Sequence, residues 1–358
     1  MLGTRRILTS DNPRLSVVRI WGWGSSPGRA QAGRQRGGEL TAATAAPAVT
    51  HRLAEAMASY ARAARAGNTW RAYEADLRHF AAWCEHHGLA PFPAAPATVA
   101  AYLTAHAPPR LAVSTLRRRL AAISVMHQTA GHEATDLPTR AAEVRTVWAG
   151  IRRTHGTAPK KVRVARTKVI NALVTELGTK PIDVRDRALL LIGFAGALRR
   201  SELVGLDVAD IIEDEVGLRL ILRRSKTDQE GETVTIGLPY GSNPATCPVR
   251  AWRAWRDLAG LAGGPAFRAV TRHGHIGATR LGDRAVARMV RRRALAAGLD
   301  GDFAGHSLRA GFATEGYAQG TPELAVMRHG RWRSAAVMRG YVEEGGLWND
   351  NAAARLGL

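Results

Sequence analysis

Apolar residues return every three or four positions from about residue 50 to 155, and that period commits the first part of the chain to helices. Trp70, Tyr73, Leu77, Phe80 and Cys84 make one helical face, with Thr69 as the expected N-cap and Gly88 as the stop. A second helix is expected after Pro91-Phe92-Pro93, from about Pro96 to His106. A third starts at Ser114, with Leu116, Leu120, Ile123 and Met126 inward and Arg117, Arg118 and Arg119 on its outer face. A fourth spans about Pro138 to Thr154, with Val144, Val147, Trp148 and Ile151 inward and Arg145, Arg152 and Arg153 among its polar positions. Together they read as a small helical bundle with basic faces. Any one of these arginines is explained by an ordinary solvated surface. Clusters on two adjacent helices shift the reading toward phosphate contacts, as do Lys160 and Lys161 just beyond them.

The second half mixes periods. Asp186 to Gly196 is an apolar core helix. Leu218–Leu222 and Thr233–Leu238 alternate as strands do, and the turn-rich stretch Arg224–Gly231 between them makes a hairpin. Helices resume at Pro248–Leu258 and at Asp283–Ala297, the latter stopped by Gly298, and the rest reads as helical apart from short turns. The expected fold class is mainly α with a small antiparallel sheet, the second domain being α+β. The expected boundaries are a basic tail over 1–48, a helical domain over 49–157, a basic linker over 158–165, a second domain over 166–346 and a short apolar tail over 347–358. Gly-Arg clusters without any period leave the first 48 residues unable to order themselves, and either a basic arm or a misplaced start codon accounts for them.

Charge narrows the partner. Against 51 Lys+Arg stand 30 Asp+Glu, a net +21, which points to a polyanion: nucleic acid first, an anionic membrane surface second. The sequence holds no stretch of 18 apolar residues to span a bilayer and no apolar core of a secretory signal near its start. Cys84 and Cys247 are too far apart for C-x-x-C chemistry, which fits a reducing cytoplasm, and no Asp, Glu or His grouping has metal spacing. Only five of the basic residues are lysine: Lys160, Lys161, Lys168, Lys180 and Lys226. In so arginine-rich a chain, a lysine in a special place is informative.

Near the C-terminus stand His306-Ser307-Leu308-Arg309, Trp332 and Tyr341. A His-x-x-Arg pair, a ring N–H donor and a late tyrosine can together cut a phosphodiester. Tyrosine is a poor nucleophile at neutral pH, so a chain that uses one surrounds the phosphate with cations.

With Ala197-Leu198-Arg199-Arg200-Ser201-Glu202-Leu203 upstream, these pieces in this order resemble the tyrosine site-specific recombinases, or phage-type integrases, with a Cre-like closing segment. The resemblance covers about residues 55–346, and the intervals of 32 residues from Arg309 to Tyr341 and nine from Trp332 to Tyr341 are typical of that family. It implies a two-domain clamp on double-stranded DNA, a SAM-like helical core-binding domain followed by a catalytic domain. It implies that Tyr341 is the nucleophile, leaving a 3′-phosphotyrosyl bond and a free 5′-hydroxyl. Arg199 and Arg309 would clamp the non-bridging oxygens as planar forks. His306 would donate to the phosphate or accept the tyrosine proton, and Trp332 can only donate. Lys226, in the hairpin where the family places its lysine, would protonate the leaving oxygen. Glu202 would orient Arg199 or His306, although a plain helix N-terminal acid after Ser201 explains it almost as well. The resemblance implies neither ATP, metal nor other cofactor. It further implies a homo-tetramer joined through the tail that holds Leu347, Trp348, Leu356 and Leu358, with strand exchange through a Holliday junction. A need for accessory DNA-bending proteins is left open. Two rivals remain: a type IB topoisomerase-like enzyme, and a DNA-binding protein of a mobile element that has lost catalysis.

Overall fold

The computed structural model of the chain describes residues 67–156, 162–223 and 233–342, with 59–60 and 356. The expected basic tail, Lys160, Lys161, Lys226 and all of the closing tail except Leu356 therefore lie outside the described residues. Two compact units divide between Pro159 and Lys160.

In the first unit, α1 (Gly67–His86), α2 (Pro96–Ala105), α3 (Val113–Thr129) and α4 (Ala142–His155) enclose one core. Phe80 of α1, Tyr102 and Leu103 of α2, and Leu116 and Ile123 of α3 are its buried centre. Pro96 opens α2 because a proline at the first helical position has no N–H to leave unpaired. Three boundaries differ from expectation. Thr69 sits inside the first turn of α1 rather than capping it, and α3 begins at Val113 rather than Ser114. The fourth helix does not run from Pro138: Pro138–Arg140 is a short 3-10 turn, and extended Ala141 (ψ 149) separates it from α4.

The second unit opens with α5 (Thr167–Thr175) and α6 (Pro181–Ala195). The sixth helix begins five residues earlier than expected, because Pro181 starts it. After α7 (Arg200–Gly205) come β1 (Ile211–Asp214), β2 (Gly217–Leu222) and β3 (Val234–Pro239), an antiparallel meander with Ile211 opposite Leu220 and Leu220 opposite Ile236. Leu218, Leu220, Leu222, Ile236 and Leu238 point into the core, while Arg219 on the other face is exposed, the period-two pattern of a half-buried sheet. Beyond α8 (Pro248–Leu258) a second antiparallel pair, β4 (Arg268–Val270) and β5 (Ile276–Arg280), corrects the expectation that the remainder is helical. The chain ends its described part in α9 (Asp283–Ala296), α10 (His306–Ala318), α11 (Glu323–Gly330) and α12 (Ala335–Val342).

The core of this unit is α6, α8 and the meander. Leu189, Leu190 and Ile192 are buried against Trp252 and Trp255, and the Trp255 indole N–H donates to the Ala266 carbonyl at 2.9 Å. Burial of side chains this large contributes roughly 1.5–3 kcal/mol each. Together they make α6 a rigid base from whose C-terminal end the next segment is launched. Among the described residues no helix is long and apolar enough to cross a membrane.

Candidate active site

Three segments converge at the end of α6. The first leaves the helix at Gly196 and turns through Ala197, a non-glycine residue at φ 45. Left-handed backbone at such a residue costs on the order of 1–3 kcal/mol, so the surroundings must hold it. The turn directs the Ala197 carbonyl toward two arginines and sets Arg199 at the start of α7. Glu202, one turn on, reaches back to accept the Arg199 backbone N–H at 2.8 Å and also receives the Arg199 guanidinium. Its carboxylate is nearly fully buried.

The second segment is α10. The Ala304 N–H donates to the Ser307 hydroxyl at 2.9 Å at its entrance, and His306 and Arg309 follow one turn apart on one face. The helix lies close on the incoming chain at Ala165, whose N–H donates to the Ser307 carbonyl at 3.0 Å. Gly311 permits that approach, since a Cβ there would sit 2.1 Å from the Ala165 carbonyl oxygen. Arg309 is buried; its guanidinium donates to the Ala197 carbonyl at 2.5 Å and lies 4.1 Å from the centre of the Trp332 ring. Burial, reinforced by the charges of Arg199 and Arg331, brings its pKa down to about 9, so it remains cationic at neutral pH.

The third segment runs from α11 into α12. After Gly330, Arg331 takes a left-handed conformation (φ 58, ψ 44) and closes the helix. Gly330 is required because any Cβ there would fall 1.6 Å from the Trp332 ring. That ring covers Arg309 on one side, and its centre is 6.1 Å from that of Tyr341. Tyr341 projects from α12 with its hydroxyl 2.9 Å from His306 Nε2, and its backbone carbonyl accepts the Thr314 hydroxyl at 2.6 Å, which ties α12 to α10.

The set contains three guanidinium groups, Arg199, Arg309 and Arg331, and one carboxylate, Glu202, for a net charge of +2 (3 − 1). Burial alone pushes the Glu202 carboxyl up; the Arg331 charge, the Arg199 backbone N–H and the Arg199 charge outweigh it and hold the pKa below the usual carboxylate range. An excess of fixed cations beside a tyrosine hydroxyl suits a phosphodiester, whose negative charge rises on attack by an oxygen nucleophile. The histidine ring nitrogen at 2.9 Å is within reach of the proton that such a nucleophile must lose.

Arg199, Glu202, His306, Arg309, Trp332 and Tyr341 thus share one site. Of the two partners considered for Glu202, the carboxylate meets Arg199. Arg331 escaped the sequence reading, although its place directly before Trp332 was a signal. His329 Nε2 lies 2.7 Å from the Ala195 carbonyl and its ring stacks on Phe312, a packing role. Tyr317 packs in the apolar cluster of Trp332 and Met338.

The basic residues of the first unit divide into two kinds. Arg117, Arg152 and Arg153 are exposed. Arg118 grips Asp76 with two hydrogen bonds, at 2.7 and 3.0 Å, and stays half exposed. Arg119 corrects the expectation of an outer-face residue. It is buried, donating to the Tyr102 hydroxyl at 2.5 Å and lying 2.8 Å from His79 Nδ1 and 3.5 Å from Asp76. Consecutive helical residues are about 100° apart, so Arg117 and Arg119 face opposite ways.

A helical unit followed by an α-rich unit that sets a tyrosine against a histidine and buried arginines defines the tyrosine recombinases as a class. Residues 163–345 match the family described as "Phage integrase family", and residues 60–134 match "Phage integrase, N-terminal SAM-like domain". The chain is 36% identical over 294 residues to an integrase/recombinase xerD homolog of Selenomonas ruminantium, covering 82% of this chain and 86% of that one. It is 26% identical over 302 residues to the recombinase cre of Escherichia phage P1, covering 78% and 85%. Its fold is similar to that of the Tn1549 transposon integrase solved with transposon right end DNA, at TM-score 0.55, 14% identity and coverage of 85% and 98%. The chain belongs to the phage integrase family, and it is a tyrosine recombinase by fold and by relatives.

Proposed function

We propose that the protein recombines double-stranded DNA at specific sites by transesterification through Tyr341. The observation that carries this reading is the 2.9 Å approach of the Tyr341 hydroxyl to His306 Nε2, beside a cation set in net excess. Tyr341 Oη attacks the scissile phosphorus and yields its proton to His306 Nε2. The P–O5′ bond breaks, leaving a 3′-phosphotyrosyl link, and Lys226 supplies the proton to the departing 5′-oxygen. Arg199 and Arg309 take the two non-bridging oxygens, with the Trp332 indole N–H as a further donor. One phosphate ester replaces another, so the step needs no energy source. Attack by a 5′-hydroxyl of a second strand reverses it and completes exchange.

The net charge of +21 supports DNA as the partner, and the exposed Arg117, Arg152 and Arg153, with Lys160 and Lys161, are the proposed backbone contacts of the helical unit. Four copies acting on two sites through a Holliday junction, joined by the tail over 347–358, complete the proposal. The test is a nicked suicide duplex built from DNA flanking the gene. A covalent protein–DNA adduct is expected with the wild type and none with Tyr341→Phe. An adduct that persists in Tyr341→Phe moves the nucleophile elsewhere and ends this reading.

A further inference from the structure

Arg331 is the cation of the site for which the proposed chemistry has no use. Its side chain is only 8% exposed, and its Nε is buried without a hydrogen-bond partner. Its terminal nitrogens are fully occupied inward. One donates to the Glu202 carboxylate at 2.9 Å and to the Ala197 carbonyl at 3.2 Å; the other donates to the His329 carbonyl at 2.9 Å and the Gly196 carbonyl at 3.4 Å. A guanidinium so enclosed does not reach a phosphate. Two of its acceptors instead hold the arginines assigned to the phosphate: Glu202 carries Arg199, and the Ala197 carbonyl accepts Arg309.

The backbone gives a second, independent indication. Arg331 stands at the left-handed position that ends α11, where glycine is the residue free of steric penalty. The preceding residue is already glycine, but it is kept at 330 by contact with the Trp332 ring. The chain therefore carries a long cationic side chain in an unfavourable conformation, and that side chain spans from the α11–α12 turn to the α6–α7 turn. Ala197, at the other end of the span, is also left-handed. These two are the positive-φ non-glycine residues among the described ones, and a hydrogen bond joins them.

We propose that Arg331 is a positioning residue of the phosphate clamp, fixing Glu202 and the Ala197 carbonyl so that Arg199 and Arg309 are held at the spacing the scissile phosphate requires. The proposal rests on the reading of those two arginines as the clamp. Arg331 links the segment that carries Trp332 and Tyr341 to the segment that carries Arg199, so the nucleophile side and the cation side are set by one side chain. The charge of Arg331 is also the strongest influence opposing the effect of burial on the Glu202 carboxyl.

The experiment is single-turnover cleavage of the nicked suicide duplex at saturating DNA, with DNA affinity and thermal melting measured on the same preparations of the full chain. Arg331→Gly suits the left-handed backbone and deletes the side chain. It is expected to slow adduct formation about 100-fold, the scale of a misplaced catalytic group, with DNA affinity within about twofold of wild type. Arg331→Lys keeps the charge and is expected to regain about tenfold of that loss, which mere loss of packing does not predict. Glu202→Gln and the Arg331→Gly, Glu202→Gln double variant test the route: the double is expected within about fivefold of the slower single, because both act on Arg199. Cleavage by Arg331→Gly at the wild-type rate overturns the proposal. So does a lysine variant that melts like wild type yet cleaves no faster than the glycine one, or a double variant whose loss is the full product of the singles. The parent reading fails differently, by absence of any adduct with the wild type itself.

Discussion

His306 and Tyr341, 35 residues apart in sequence, meet through Nε2 and the phenol oxygen at 2.9 Å. The phenol is otherwise a poor nucleophile near neutral pH, and the ring nitrogen is a base placed to take its proton. His306→Ala is therefore expected to slow adduct formation about 10²- to 10⁴-fold, the usual contribution of a positioned base, while leaving DNA affinity close to wild type. Rates within threefold of wild type on the suicide duplex remove His306 from the chemistry.

Trp332 serves two functions that substitution can separate. Its ring faces the Arg309 guanidinium at 4.1 Å, and it is largely buried in the cluster with Met338 and Val326. Trp332→Phe keeps an aromatic face but loses the N–H donor, so cleavage is expected to fall about 10²-fold, as for loss of one anion-stabilising donor, with melting little changed. Trp332→Ala removes both and opens a cavity, at a cost of about 3 kcal/mol or more in stability. A phenylalanine variant that cleaves like wild type reduces Trp332 to packing.

The sequence disclosed most where the physics is local. The α1 face and the His306–Arg309 pair follow a helical period that needs no tertiary knowledge. The β2–β3 pairing was legible because each strand alternates for about six residues; β4 and β5, three and five residues long with a mostly half-buried or exposed pattern, carry no such alternation. Arg119 was misplaced because three consecutive arginines look like one patch in a string but point to different sides of a helix. For Arg331 the one signal in the string is its place directly before Trp332, and that does not reveal its role. Its value lies in contact with Glu202, 129 residues away, and in a backbone angle that composition does not announce.

Arg117 and Arg119 are expected to behave as opposites. Arg117 is exposed on α3, so Arg117→Ala should leave stability intact and reduce the slope of log affinity against log salt by about one, the signature of one lost phosphate contact. Arg119 donates to the Tyr102 hydroxyl beside His79 inside the unit, so Arg119→Met removes that charged donor, while Arg118 keeps Asp76 paired. It is expected to cost roughly 1.5–3 kcal/mol in urea unfolding, the usual contribution of a hydrogen bond to a charged group. An unchanged salt slope in Arg117→Ala removes that residue from the DNA contacts. Full stability in Arg119→Met contradicts the network.

The helical unit should weaken as pH falls below neutrality, and His127 shows why. Its Nε2 accepts the Ala94 N–H at 3.0 Å, so that nitrogen bears a lone pair; Nδ1 lies 2.9 Å from the Ile123 carbonyl and must be the one that carries the proton. The ring is thus buried neutral with both nitrogens satisfied. Burial lowers its pKa, the Ile123 carbonyl opposes that, and the neighbouring His132 adds to it. Burial likewise lowers His79 and His106 in the same unit, and His329 in the other. A histidine whose folded pKa lies below its unfolded 6.5 contributes stability that is complete above 6.5 and is lost as pH falls through the folded value, because the unfolded chain takes up the proton first. Protonation of His127 at Nε2 would also cost the Ala94 hydrogen bond. Amide hydrogen exchange of α3 in the full chain, after correction for the intrinsic exchange rate, should therefore show lower protection at pH 5.5 than at pH 7.5, roughly a unit either side of that 6.5. His127→Gln offers a lone pair and a donor but does not titrate, so its loss of protection over the same interval should be smaller. Equal loss in both proteins would assign the pH dependence to the other histidines.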